Sequence, residues 1–170
     1  MSIFRRTVLE FLSNKWEIFV VEEHFAISAC SEARPRICYM NDEFKKLFLP
    51  LVEKVKKESR ISYFVRGELF RGCDDAELFK DHKFDPVNLA DIFYLISQQG
   101  EGEKGILHTK RFSWKANIFY IKDLNGLSRF IFVSFDRKKK GWSIVSREVN
   151  FLDSSKSLSR GSNFFYKSFL

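Results

Sequence analysis

The 170-residue chain reads as one α+β domain, an antiparallel sheet anchored by a C-terminal three-stranded meander and packed against about three helices. Three observations predict this. Residues 117–149 hold three β-prone runs, divided by Asn125-Gly126 and by a basic run ending at Gly141. Asn-Gly between such runs is the strongest short hairpin signal. Apolar stripes at helical spacing precede the meander. Hydrophobic residues make up 45% of the chain and include 20 Phe, too many for a disordered segment.

Phe4, Val8, Phe11 and Leu12 fall on one face of an N-terminal helix. Trp16 to Ser28 is rich in β-branched and aromatic residues and reads as strand. Asn41 caps the next helix, with Asp42 and Glu43 favourably placed in its first turn. Phe44, Leu47, Phe48, Leu51, Val52 and Val55 continue its apolar stripe across Pro50, which predicts a kink or two abutting helices. Arg60 to Arg71 returns to strand character. Asp74 and Asp75 could start a short helix, and Asp85-Pro86 is a cleaner start to a helix that places Leu89, Ile92, Phe93 and Ile96 on one face. Gly100 stops it, and Ile106 to Trp114 leads as a strand into the meander.

A two-residue turn at Asn125-Gly126 pairs Ile121 with Phe130, Phe119 with Phe132, Tyr120 with Ile131 and Ile118 with Val133. Both faces of that hairpin are then apolar, which calls for internal cover on both sides or for a partner on one. The domain spans 1–152. Residues 153–170 form a Ser-rich C-terminal tail: Asp153 to Asn163 reads as a mobile segment, and the apolar Phe164-Phe165-Tyr166 and Phe169-Leu170 either dock back on the domain or contact a partner.

The net charge of +7 attracts phosphate, nucleic acid, anionic lipid or acidic protein, but it is dispersed along the chain. Three cysteines without a Cys-x-x-Cys pair indicate neither a disulfide framework nor a zinc ribbon, and fit a reducing, cytoplasmic compartment. The N-terminus lacks the apolar core of a secretory signal, and no run is long enough for a membrane span. His24, His82 and His108 are scattered, and no nucleophile elbow, Walker loop or dinucleotide fingerprint occurs. Asp74, Asp75, Glu77, Asp81, His82 and Asp85 cluster in sequence without a calcium-loop spacing. No metal and no cofactor is expected, and catalytic residues stay unassigned.

The expected function is therefore a non-enzymatic, cytosolic protein-interaction module. Its candidate partner contacts are Arg137, Lys138, Lys139 and Lys140 in the basic run and Phe164, Phe165 and Phe169 near the end. A nucleic-acid-binding protein using the Lys/Arg runs is the alternative. A secreted bacterial effector, or an enzyme assembled from scattered residues, is a further one. The Ser-rich stretch with an apolar end resembles the C-terminal export signals of bacterial type IV effectors, which implies export without a signal peptide.

Overall fold

A computed structural model describes residues 15–20, 24–25, 37–54, 58–65, 84–109, 115–148 and 162–167. In order these form β1 (Lys15–Val20), β2 (His24–Phe25), β3 (Ile37–Met40), helix α1 (Asp42–Phe48), β4 (Glu53–Lys54), β5 (Glu58–Val65), helix α2 (Leu89–Ser97), β6 (Asn117–Lys122), β7 (Ser128–Asp136), β8 (Gly141–Glu148) and β9 (Asn163–Lys167). The main sheet has seven strands in the order β1-β5-β9-β6-β7-β8-β3, and β2 pairs separately with β4.

This corrects the expected fold class. The sheet is mixed, because β9 runs parallel to β6 and β3 parallel to β8. The described residues hold two helices rather than about three, and strand dominates. The physical source of the difference is β9. Phe164-Phe165-Tyr166, read as a tail end, occupies the middle of the sheet between β5 and β6. The helix expected at residues 4–12, the one at 74–80 and most of the tail lie outside the described residues.

Asn41 caps α1 as expected, its side-chain oxygen accepting from Phe44 N at 3.1 Å. The helix ends at Phe48 instead of continuing through Val55. Pro50 has no N–H to extend the hydrogen-bond ladder, and the chain turns into β4. The expected start of α2 also moves. Asp85 and Val87 are held by sheet bonds to Lys167 and Tyr120, so the helix begins only at Leu89. Its cap is Asn88, whose N–H donates to Asp91 Oδ2 at 2.8 Å. Ile106 to His108 is not strand; Gln99 holds Leu107 through its side-chain amide on both N–H and carbonyl.

All three strands of the meander form, with a one-residue shift in the β6–β7 register. Phe119 lies opposite Ile131, Ile118 opposite Phe132, Tyr120 opposite Phe130 and Ile121 opposite Arg129. The expected pairing of Phe119 with Phe132 is thus overturned. The loop has three residues, not two: Asp123 N donates to Leu127 O, and Gly126 N to Asp123 O, both at 2.9 Å. Gly126 has φ 75°, whereas Asn125 is not among the residues of positive φ. Asp123 Oδ1 accepts from the N–H groups of Asn125 and Leu127, favouring a type I turn closed by a left-handed glycine. Because one residue of slip exchanges faces, every side chain of one strand changes sides relative to the two-residue reading.

Gly126 has open space where a Cβ would sit, so its requirement is conformational alone. Gly126→Val is expected to lower stability by about 1 kcal/mol or more, since a β-branched residue resists positive φ. Gly126→Asn is expected to cost less. Chemical denaturation of both variants checks this; equal midpoints for wild type and Gly126→Val would refute the turn geometry.

Both helices pack on one side of the sheet, here termed the inner face. Phe119, Ile121, Ile131, Val133, Trp142, Ile144 and Phe165 meet Phe44, Phe48, Leu89, Ile92 and Ile96 in one buried cluster. Trp142 is fully buried and donates its indole N–H to Gln99 O at 3.0 Å. On the outer face Ile118, Phe130 and Phe164 are also buried, although they lie outside that cluster. Between β6 and β9 the sheet splays. Asp85 and Val87 wedge into the gap as isolated bridges to Lys167 and Ile121.

Candidate functional site

The sequence-derived contacts separate in space. Arg137 to Lys140 form the β7–β8 turn, and all four residues are exposed. Asp136 Oδ1 shapes the turn by accepting from Lys138 N and Lys139 N, at 2.9 and 3.1 Å. Lys140 takes a left-handed φ of 47°. Phe164 and Phe165 are 2% and 1% exposed inside β9, so they offer no surface to a partner. Phe169 lies outside the described residues. Of the acidic run, Asp85 is described and belongs to the wedge; Asp74, Asp75, Glu77, Asp81 and His82 lie outside. Among the described residues no group of three or more His, Cys, Asp or Glu is placed to hold a metal ion, and no helix is long and apolar enough to cross a membrane.

Two ionic clusters escape a sequence reading because their members meet only through the fold. The first surrounds Arg129 on β7. Its Nε donates to Asp123 Oδ2 at 2.9 Å, and its Nη1 contacts Glu43 Oε1 at 2.7 Å and Glu148 Oε1 at 3.2 Å. The hairpin turn, α1 and β8 are thereby tied to one guanidinium. Burial would push the Asp123 carboxyl up, but bonds from Arg129, Leu127 and Asn125 outweigh it and hold the group below its ordinary value.

The second cluster sits at the start of α2, beside the wedge. Glu53 Oε2 accepts from Ala90 N at 3.1 Å. Asp91 is fully buried, and its Oδ2 meets Lys167 Nζ at 3.1 Å. Asp91 Oδ1 has no hydrogen-bond partner among the described residues. Burial pushes the Glu53 carboxyl above its ordinary value, and nearby Asp91 adds to this against the opposing N–H bonds of Leu89 and Ala90. A carboxyl raised in the folded state favours folding most when protonated, so its charge costs stability as pH rises through the folded value. Glu53→Gln keeps an acceptor for Ala90 N–H and removes the charge. Its melting midpoint at neutral pH is expected to equal or exceed that of wild type, with the gap closing as pH falls toward the ordinary carboxyl range. Glu53→Ala is expected to lose about 1 kcal/mol. A Gln variant less stable than the Ala variant would contradict this account.

Among the described residues, four exposed aliphatic side chains lie near the meeting of α1 and the β6–β7 turn, apart from the exposed Tyr39. Leu49, Val52, Leu124 and Leu127 are 40%, 65%, 50% and 58% exposed. Leu49 and Val52 follow the end of α1, and Leu124 and Leu127 sit on the β6–β7 turn. Leu124 N donates to Leu47 O at 3.4 Å, which brings the turn against the end of the helix. Comparison with protein-family models, with curated proteins and with solved structures finds no match for this chain.

Proposed function

We propose that this chain is a protein-interaction module that engages its partner through the corner where the β6–β7 turn meets the end of α1. The observation supporting this reading is the aliphatic surface of Leu49, Val52, Leu124 and Leu127. Single exposed aliphatic residues are ordinary on a soluble protein, whereas several gathered at one corner favour association. The corner rests on rigid supports. Arg129 fixes Asp123 at the base of the turn, and Phe44 and Phe48 anchor the helix beneath. A preorganised surface loses less entropy on binding.

The test compares wild type with the double variant Leu124→Glu/Leu127→Glu by quantitative co-purification from the cells that make the protein. Both side chains are exposed, so the variant is expected to keep its melting midpoint. A stoichiometric partner retained by wild type at roughly 0.5 M salt, where exposed charges are screened, and lost by the double variant supports the reading. The same partner retained by both proteins sinks it.

A further inference from the structure

The outer face of the sheet at its β7–β8–β3 end carries chemistry that the aliphatic corner does not use. Residues 37 and 39 would ordinarily share a face. A register irregularity between Ile37 and Tyr39 lets Ile37 and Met40 both pack on the core and turns Tyr39 to the opposite side. Tyr39 is 49% exposed there. It lies in line with Ser143, which pairs with exposed Ser134. One row further along, half-buried Phe132 pairs with half-buried Val145. Tyr39 and Phe132 thus flank β8 from its two neighbouring strands, two strand spacings across and two residues along, roughly 12 Å apart at the backbone. Two rings and two serine hydroxyls lie on this outer face, and the four exposed cations of Arg137 to Lys140 lie at its end.

We propose that this face is a platform for single-stranded nucleic acid, with bases on Tyr39 and Phe132 and phosphates at the basic turn. Charge complementarity selects the occupant. Four adjacent cations attract a polyanion; Asp136 beside them accepts bonds from the turn's own N–H groups, and the exposed Glu101 and Glu103 flank Gly102, which lies against the inward-facing Phe135 on the other side of the sheet. The rings select among polyanions. A duplex hides its bases in the stack and meets a protein largely through phosphates and groove edges, so it gains little from a tyrosine on an open sheet. Unpaired bases can splay and stack on such a ring. The surface is distinct from the aliphatic corner, which lies at the opposite end of the β6–β7 hairpin.

The test is fluorescence anisotropy with the full chain, a labelled oligothymidylate or oligouridylate of roughly twenty nucleotides, and a duplex of equal length. The single strands are expected to bind about tenfold or more tighter than the duplex at low salt. Affinity should fall linearly on a log–log salt plot, and Lys138→Glu/Lys139→Glu should flatten that slope by about one or more. Tyr39→Ala should weaken binding by about fivefold or more, whereas Tyr39→Phe, which keeps the ring, should bind as wild type. These side chains are exposed, so melting midpoints should not move. Equal affinity for duplex and single strand, or an unaltered Tyr39→Ala variant, would overturn the platform. So would tighter, lysine-dependent binding to anionic phosphatidylserine vesicles than to either oligonucleotide.

Discussion

Phe165→Ala is expected to destabilise the domain by about 3–5 kcal/mol, the range for emptying a buried phenylalanine site. Phe165 is 1% exposed and stacks on Phe119 at 4.4 Å and on Tyr63 at 5.2 Å between ring centroids. It therefore joins β5 to β6 through side chains as well as through the backbone of β9. The backbones beside the lost side chain are held in the ladder of β5, β9 and β6, so the neighbouring rings can follow only by changing rotamer and the cavity collapses only in part. Urea denaturation followed by far-ultraviolet circular dichroism measures the change. A loss below about 1 kcal/mol would mean that β9 does not hold this place, and that the apolar end of the 153–170 tail does not dock on the domain.

Arg129→Met is expected to cost about 3–5 kcal/mol at neutral pH, because it leaves Asp123 buried and charged without its cation. Methionine retains much of the packing volume, so the loss reports the charge rather than a void. The pH dependence carries a second signature. Asp123 has a lowered folded-state value, so it contributes stability above its ordinary value near 3.8 and loses it as pH falls through the folded value. In Arg129→Met the part of that depression due to the guanidinium is lost, while the Leu127 and Asn125 N–H bonds remain, and the gap between the two proteins should narrow in acid. An equal gap at every pH would assign the cost to packing.

How much of this was legible can be seen residue by residue. The meander, the Asn41 cap and the turn at Arg137 to Lys140 follow from local chemistry, and local chemistry is what a sequence displays. The β6–β7 register also had a local signal. Asp123 at the first position of a type I turn, with Gly126 at the fourth, favours a three-residue loop over the two-residue turn that Asn-Gly alone suggests. What stayed hidden depends on distant partners. Phe164 and Phe165 look like a sticky end until β5 and β6 are seen on either side. Leu124 is an ordinary turn residue until the turn meets Leu47. Tyr39 acquires its outward position from an irregularity that no propensity encodes. The Glu53, Asp91 and Lys167 cluster draws on three separate elements.

The position of β9 also sets an order of events at the ribosome. β5 reaches the β6–β7–β8–β3 group only through β9, so the sheet is two fragments until residue 167 has emerged. During synthesis the facing edges of β5 and β6 present unpaired backbone groups beside aromatic side chains, a template for wrong pairing with other chains. Closing the sheet then depends on a strand far in sequence from β5, the kind of non-local contact that slows folding. The nascent protein is accordingly most vulnerable just before β9 arrives, and a chaperone that shields those two edges would raise its yield more than one acting on the finished fold.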